Sequence, residues 1–151
     1  MTPEMKQEDA DRRIVTIRIF NAPKMTVFSA WTNPELLKQW WGPRGFTNTF
    51  HEFDLRKGGH WKFTMHGPDG GNYPNESVFI DIEEPDRIVL NHVSKPYFLL
   101  TAHFEEAGNH KTKLIFEQLF PTVEEYNKVK GFAIDANEEN MDRLENLLKT
   151  Q

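Results

Sequence analysis

The sequence predicts an α+β fold, in which an antiparallel sheet of about six to seven strands packs against two short helices and a long C-terminal helix. Three observations support this prediction. Residues 46–118 consist of short segments with alternating apolar residues, separated by turns rich in glycine, proline and asparagine. Two short helical segments precede them. Residues 122–148 place apolar residues at helical spacing.

The chain begins with a polar segment and a β-strand. Residues 1–11 have no apolar periodicity, so we expect a flexible tail. The remaining residues, 12–151, have the length of a single domain. Residues 12–20 alternate β-branched residues with polar ones, which predicts the first strand. The alternating apolar residues are Val15, Ile17 and Ile19.

Two short helices are predicted next. In residues 24–32, Met25, Phe28 and Trp31 form a stripe that recurs every three residues. A second helix, over residues 34–41, starts with a proline, whose missing amide has no partner in the first turn anyway. The pair forms an apolar wedge that is too small to fold alone and must pack on the sheet. Of the adjacent tryptophans at its end, we expect one to pack and the other to lie at a cavity mouth or on the surface.

Six strands are predicted after the wedge. They cover residues 46–55, 60–66, 75–83, 87–94, 97–105 and 112–118. In the second of these, Trp61, Phe63 and Met65 share a face, and in the third Val78, Ile80 and Ile82 do. The facing of residues 46–55 and 87–94 stays open, because neither pattern alternates cleanly.

The chain ends in a long helix. Thr122 and Glu125 have the spacing of a capping box, in which a threonine hydroxyl and a glutamate satisfy free amides of the first turn. Gly131 is expected to interrupt or kink the helix, and Glu139 and Arg143 are expected to pair on its outside. One helical face carries Ala133, Asn137, Met141, Leu144 and Leu148.

Composition excludes several classes of function. The net charge of −5 argues against nucleic acid or an anionic membrane surface as the partner, since both attract basic proteins. The absence of cysteine excludes disulfides and thiolate metal sites, and the six histidines show no metal-binding spacing. We therefore expect no cofactor and no metal. With no signal peptide and no long apolar run, we expect a cytoplasmic protein without membrane insertion.

Several motifs spread along the chain match one known superfamily. They are VFSAWTNPELLKQWWGP (27–43), FDLRKGG with the following WKF (53–63), GPDGG (67–71), EEPDRIV (83–89) and MDRLENLL (141–148). In this order they resemble the helix-grip proteins, which include the birch-pollen allergen, START lipid-transfer domains and polyketide cyclases. The sequence is most similar to the branch named after the activator of the ninety-kilodalton heat-shock protein's ATPase.

The resemblance implies a sheet curved around the C-terminal helix, with a deep and mostly apolar cavity between them. Family members often carry Gly-Trp where this chain has Ala136 and Asn137. A small amide in place of a ring predicts a larger cavity with a polar group. The residues expected to bind a ligand there are Trp40, Phe53, Trp61, Phe63, Met65, Ile80, His92, Phe98, Leu100, Phe116, Gln118, Asn137 and Met141.

Three of these residues are polar and permit two interpretations each. In one of two possible registers of its strand, His92 faces inward with apolar neighbours. An inward His92 is either a hydrogen-bonded core residue or a group that orients a ligand or acts as a general base. Gln118 and Asn137 lie on apolar faces, where a buried amide needs partners from the fold, a ligand or water.

The leading hypothesis is binding of a small hydrophobic or aromatic molecule in the cavity. One alternative is a chaperone-activator-like interaction module in the stress response, which would contact a protein through its surface. Another is a cyclase- or hydrolase-like enzyme that uses His92. The sequence contains no hydrolase, protease, P-loop or dinucleotide-binding motif, so no catalytic residue is assigned.

Overall fold

The computed structural model describes residues 11–151, with seven strands and three helices among them. The predicted tail therefore lies outside the described residues, except for Asp11. The strands are β1 (Arg13–Phe20), β2 (Thr47–Phe53), β3 (His60–His66), β4 (Asn72–Glu83), β5 (Arg87–His92), β6 (Phe98–Glu106) and β7 (Thr112–Leu119). The helices are α1 (Lys24–Thr32), α2 (Pro34–Trp40) and α3 (Val123–Leu148).

All seven strands form one antiparallel sheet in the order β1-β7-β6-β5-β4-β3-β2. Consecutive strands from β2 to β7 are neighbours, because each pair is joined by a short turn. The α1–α2 wedge carries the chain from one edge strand, β1, to the other, β2. The sheet curls, and α3 lies along its concave face in contact with β1 and both short helices. This is the predicted helix-grip arrangement.

The wedge is built as predicted, apart from one residue. Asn33 caps α2 by accepting a hydrogen bond from the Glu35 amide (3.0 Å). Trp31 is buried and packs edge-on against Trp40, with ring centroids 5.1 Å apart. Met25, however, is 46% exposed. Its assignment to the buried stripe was wrong, because the sheet and α3 enclose the neighbouring side of α1 instead.

A glycine ends α2 and lets the chain approach the sheet. Gly42 has a φ of +99°, which an L side chain rarely adopts. A β-carbon there would lie 2.6 Å from the terminal methyl of Met65. Any other residue would be strained and would also push Met65 out of place.

In β1 and β4 some of the alternating apolar residues point away from the core, and for Ile80 this contradicts its predicted place in the cavity wall. In β4, Ser77 and Phe79 face inward, and Ile80 is 49% exposed. A bulge between Phe79 and Asp81 then shifts the register, so that Ile82 packs against the core again. In β1 the buried residues are Ile14, Thr16 and Phe20, and the alternating apolar residues Val15, Ile17 and Ile19 are about half exposed.

Helix α3 begins with the predicted cap and runs through Gly131 without interruption. Thr122 Oγ1 accepts a hydrogen bond from the Glu125 amide (3.1 Å). The expected pair between Glu139 and Arg143 does not form. Arg143 instead donates to main-chain oxygens at the end of α2, and Glu139 accepts from the Arg44 amide (3.0 Å).

Candidate functional site

A cavity of about 310 Å³ lies between the concave face of the sheet and α3. Its walls come from α3, from β3 to β7 and from the chain segment that follows α2. The predicted site residues that line it are Trp61, Phe63, Met65, His92, Phe98, Leu100, Phe116, Gln118 and Asn137. Strand alternation places them there, since each points to the inner face of its strand or to the inner side of the helix.

The other four predicted residues do not line the cavity. Trp40 is fully buried within the wedge, where its indole donates to the Ala30 carbonyl (3.0 Å). Its neighbour Trp41 lines the cavity instead. Phe53 and Met141 pack in or against the core beyond the cavity wall. Ile80 lies at the β4 bulge and faces the opposite side of the sheet. The bulge was not evident from the sequence.

Several lining residues were missed by the sequence prediction. They are Trp41, Gly42, Asn75, Ser77, Leu90, Pro96, Phe120, Val129, Phe132, Ala133, Ala136 and Asn140. For Asn140 a signal was available: it lies three residues after Asn137, and such positions share a helix face. For Ser77 no signal was available, because a serine that alternates with the apolar residues Val78, Ile80 and Ile82 is expected on the outer face.

Three side-chain amides meet on the helix side of the cavity. Asn137 and Asn140 project from α3, and Gln118 faces them from β7. Asn137 Nδ2 donates to Gln118 Oε1 (2.8 Å). All three residues are buried, and the buried Oδ1 of Asn140 has no hydrogen-bond partner. A second wall atom in the same condition is the indole Nε1 of Trp61.

His92 faces inward, which settles the register of β5. Its ring stacks on Phe98, with centroids 4.6 Å apart and planes 15° apart. Nδ1 lies 2.7 Å from the Pro96 carbonyl, and Nε2 lies 2.8 Å from the side-chain oxygen of Asn75. Burial lowers the pKa of His92, although the carbonyl contact opposes this shift. The ring is therefore held in the wall with both nitrogens engaged.

The chain matches the model of the family described as activator of Hsp90 ATPase homolog 1-like protein over residues 21–149. The chain belongs to this family. Membership is consistent with a ligand-binding or interaction module in general terms, and it identifies neither a ligand nor a partner. A search of curated proteins gave no match.

Solved structures with the same fold come from several bacteria. A protein from Nitrosomonas europaea is similar at 21% identity and a TM-score of 0.85, covering 94% of this chain and 97% of that one. One from Arthrobacter aurescens is 20% identical with a TM-score of 0.87, covering 97% and 91%. One from Rhodobacter sphaeroides is 26% identical with a TM-score of 0.83, covering 93% of each chain. These similarities establish the shared fold.

In this family member the cavity reaches the surface beneath the first part of α3. Phe132 lines the cavity and is 72% exposed, so it lies at the mouth. A larger groove of about 570 Å³, with Tyr97 and Arg12 in its walls, lies on the far side of His92 and Phe98. That groove is shallow and open to solvent, whereas the smaller cavity is enclosed by rings on several sides.

The remaining histidines of β2 and β3 are structural groups of the outer face. His60 pairs with Glu76 (2.8 Å), and His66 lies between Thr49 and Asn72 at 2.7 and 2.6 Å. Among residues 11–151, no group of three or more potential metal ligands occurs. Within the same range, no helix is both long and apolar enough to cross a membrane.

Proposed function

We propose that this protein binds a small hydrophobic or aromatic molecule in the cavity beneath α3. The observation that carries the proposal is the cavity itself, with about 310 Å³ of space enclosed by aromatic side chains. Protein interiors are normally close-packed, and unfilled apolar space costs stability in proportion to its volume. A ligand would recover the contacts that the opposing rings cannot make with one another.

The size of the cavity indicates the size of the ligand. An apolar cavity of roughly 150 Å³ holds one benzene molecule. The cavity found here, at about 310 Å³, is about twice as large. A bicyclic aromatic molecule, or one ring with a short side chain, matches it. Trp41 and Trp61, whose ring centroids are 5.2 Å apart, would contact such a ring.

The enzyme alternative receives less support. His92 is the one ionisable residue among those that line the cavity in the described part of the chain. Its two nitrogens face Pro96 and Asn75, and none of the described residues places a carboxylate against the ring. A general base needs a nitrogen within reach of the substrate proton. Catalysis by His92 would therefore require the wall to open first.

One observation favours the protein-interaction alternative. Val15, Ile17 and Ile19 form an exposed apolar row on the outer face of the edge strand β1. Apolar rows on a sheet edge are suited to contact with another protein. The row lies on the opposite side of the sheet from the cavity, so the two functions are compatible. A chaperone as partner and a cytoplasmic location stay predictions.

Two measurements test ligand binding. Native mass spectrometry of the freshly purified protein should show a species heavier than the chain by the mass of a small organic molecule. Any co-purified ligand is first removed, by extensive dialysis or by unfolding and refolding. Titration with naphthalene should then shift the ¹H–¹⁵N signals of residues that line the cavity. Shifts confined to the outer face, or no saturable shifts, would contradict the proposal.

A further inference from the structure

We infer that the ligand is electrically neutral and carries a polar group that both donates and accepts hydrogen bonds, such as a primary amide or a lactam. This inference rests on the proposed function, and it specifies the chemical class of the molecule. The amide cluster formed by Gln118, Asn137 and Asn140 would recognise that group. The aromatic walls would hold the remainder of the ligand.

The geometry of the cluster supports a shared recognition role. Asn137 and Asn140 lie three residues apart on α3 and both line the cavity, and Gln118 lies across from them on β7. Each side-chain amide offers two donors and an acceptor oxygen. The bond from Asn137 Nδ2 to Gln118 Oε1 uses one donor and part of one acceptor. Most of the hydrogen-bonding capacity of the cluster is left for other groups.

Asn140 independently indicates that a ligand group contacts the cluster. The residue is 5% exposed, and its Oδ1 is buried without a hydrogen-bond partner. Such an oxygen loses its hydration on folding and destabilises the protein unless a donor reaches it. A hydrogen-bond donor on a ligand in the cavity would satisfy the Asn140 Oδ1. The argument holds for either orientation of the amide, because an amide contains a donor and an acceptor in both.

The charges around the cavity explain why the ligand should be neutral. Among the described residues, no lysine, arginine, aspartate or glutamate lines the cavity. On the same helix, Arg143 donates to the carbonyls of Gln39, Trp41, Gly42 and Pro43. Lys128 lies 3.6 Å from Glu125, and Lys130 lies over the ring of Tyr126. Burial also lowers the pKa of His92, and its two nitrogens face Pro96 and Asn75, so neither is directed at a ligand in the cavity. A buried carboxylate would find no counter-charge and would be strongly disfavoured.

Three probes of one shape test the inference: naphthalene, 2-naphthamide and 2-naphthoate. The amide and the carboxylate have nearly the same size, so their comparison isolates charge and hydrogen-bond donation. With the wild-type protein at pH 7.5, we expect 2-naphthamide to bind at least tenfold more tightly than 2-naphthoate. Protein-detected NMR titration measures all three dissociation constants and identifies the amides that shift.

A variant tests the role of the cluster. Asn140→Leu keeps the side-chain volume but removes the hydrogen-bonding groups. It should weaken 2-naphthamide at least tenfold and leave naphthalene within about threefold of wild type. Asn146→Leu makes the same change at an exposed position of α3 and should alter neither constant.

The outcomes separate the two proposals. Equal binding of 2-naphthamide and 2-naphthoate in the cavity would overturn the inference and leave the proposed function standing. Equal losses of 2-naphthamide and naphthalene in Asn140→Leu would likewise overturn the role of the cluster. Failure of all three probes to bind would overturn the proposed function, and the inference with it. The wild-type comparison needs no variant, so it holds even if Asn140→Leu does not fold.

Discussion

The two halves of α3 pack very differently, although they form one continuous helix. Residues 137–148 contain every buried residue of the helix: Asn137, Asn140, Met141, Leu144 and Leu148. Residues 123–136 contain none, and their inward side chains line the cavity instead. The same helix therefore closes the core with its second half and covers an open space with its first half.

Polar contacts follow the same division. Arg18 reaches from β1 to the carboxylates of Glu138, Asp142 and Glu145, at 2.8 to 3.1 Å. Arg143 joins the same half to the end of α2 through four main-chain oxygens. The free carbonyls at a helix end favour a cation there. The difference between the halves shows that α3 is anchored to the rest of the fold mainly through residues 137–148.

The largest expected effect comes from removing a buried side chain in the anchored half. Leu144 is fully buried, and Leu144→Ala should lower the free energy of unfolding by about 2–5 kcal/mol. In the other half Ile134 is half-exposed, so Ile134→Ala should change the free energy of unfolding by less than about 0.5 kcal/mol. Urea unfolding measures both. Similar losses in the two variants would remove the distinction between the halves.

Loss of the Arg143 contacts should have a smaller effect. Arg143→Met keeps a long apolar side chain but removes the donors that satisfy the end of α2. We expect a loss of about 1.5–3 kcal/mol, because hydrogen bonds from a charged group exceed neutral ones. Lys128→Met in the first half removes an exposed pair with Glu125 (3.6 Å) and should cost less than about 0.5 kcal/mol. An Arg143→Met protein as stable as wild type would show that packing alone anchors this half.

The smallest effect concerns pH and the wall opposite the first half. Burial holds the pKa of His92 below its unfolded value of about 6.5, so the unfolded chain takes up the proton first. Stability should be greatest above that pH and fall as the pH decreases toward the lower folded pKa. His92→Phe keeps a ring against Phe98 and cannot titrate. Urea unfolding at pH 7.5 and 5.5 should show a smaller loss in His92→Phe, and equal losses would mean that His92 protonates without penalty.

Much of the fold was predictable because the turns, caps and motifs act locally. The helix start at Asn33, the strand over residues 60–66 and the cap at Thr122 follow from short-range chemistry, and the structure confirms them. The facing of strands was less predictable. Alternation in β1 and β4 gives a period of two, but it does not identify which face meets α3.

The candidate site shows the same limit. Regular alternation of apolar residues in β6 and β7 correctly placed three residues on the cavity wall, namely Phe98, Leu100 and Phe116. Ile80 was misplaced because a single bulged residue reverses the face that the strand presents. Trp40 was wrongly preferred to Trp41 because the orientation of the wedge depends on tertiary packing, which the sequence pattern does not reveal. Asn140 was missed although its spacing of three residues from Asn137 places it on the same helix face, because the predicted face followed the apolar residues alone.

Asn137, where the two halves of α3 meet, offers the most direct test that the cavity is a binding site. Asn137→Trp places a ring in the space beneath the helix, whereas Ile134→Trp adds the same ring at a half-exposed position of α3 that does not line the cavity. The dissociation constant of naphthalene, measured by ¹H–¹⁵N titration, is the quantity to compare. We predict at least a tenfold increase, about 1.4 kcal/mol, in Asn137→Trp and no change in Ile134→Trp. Unchanged naphthalene binding in a folded Asn137→Trp protein would contradict the account, because the ligand would then occupy some other place.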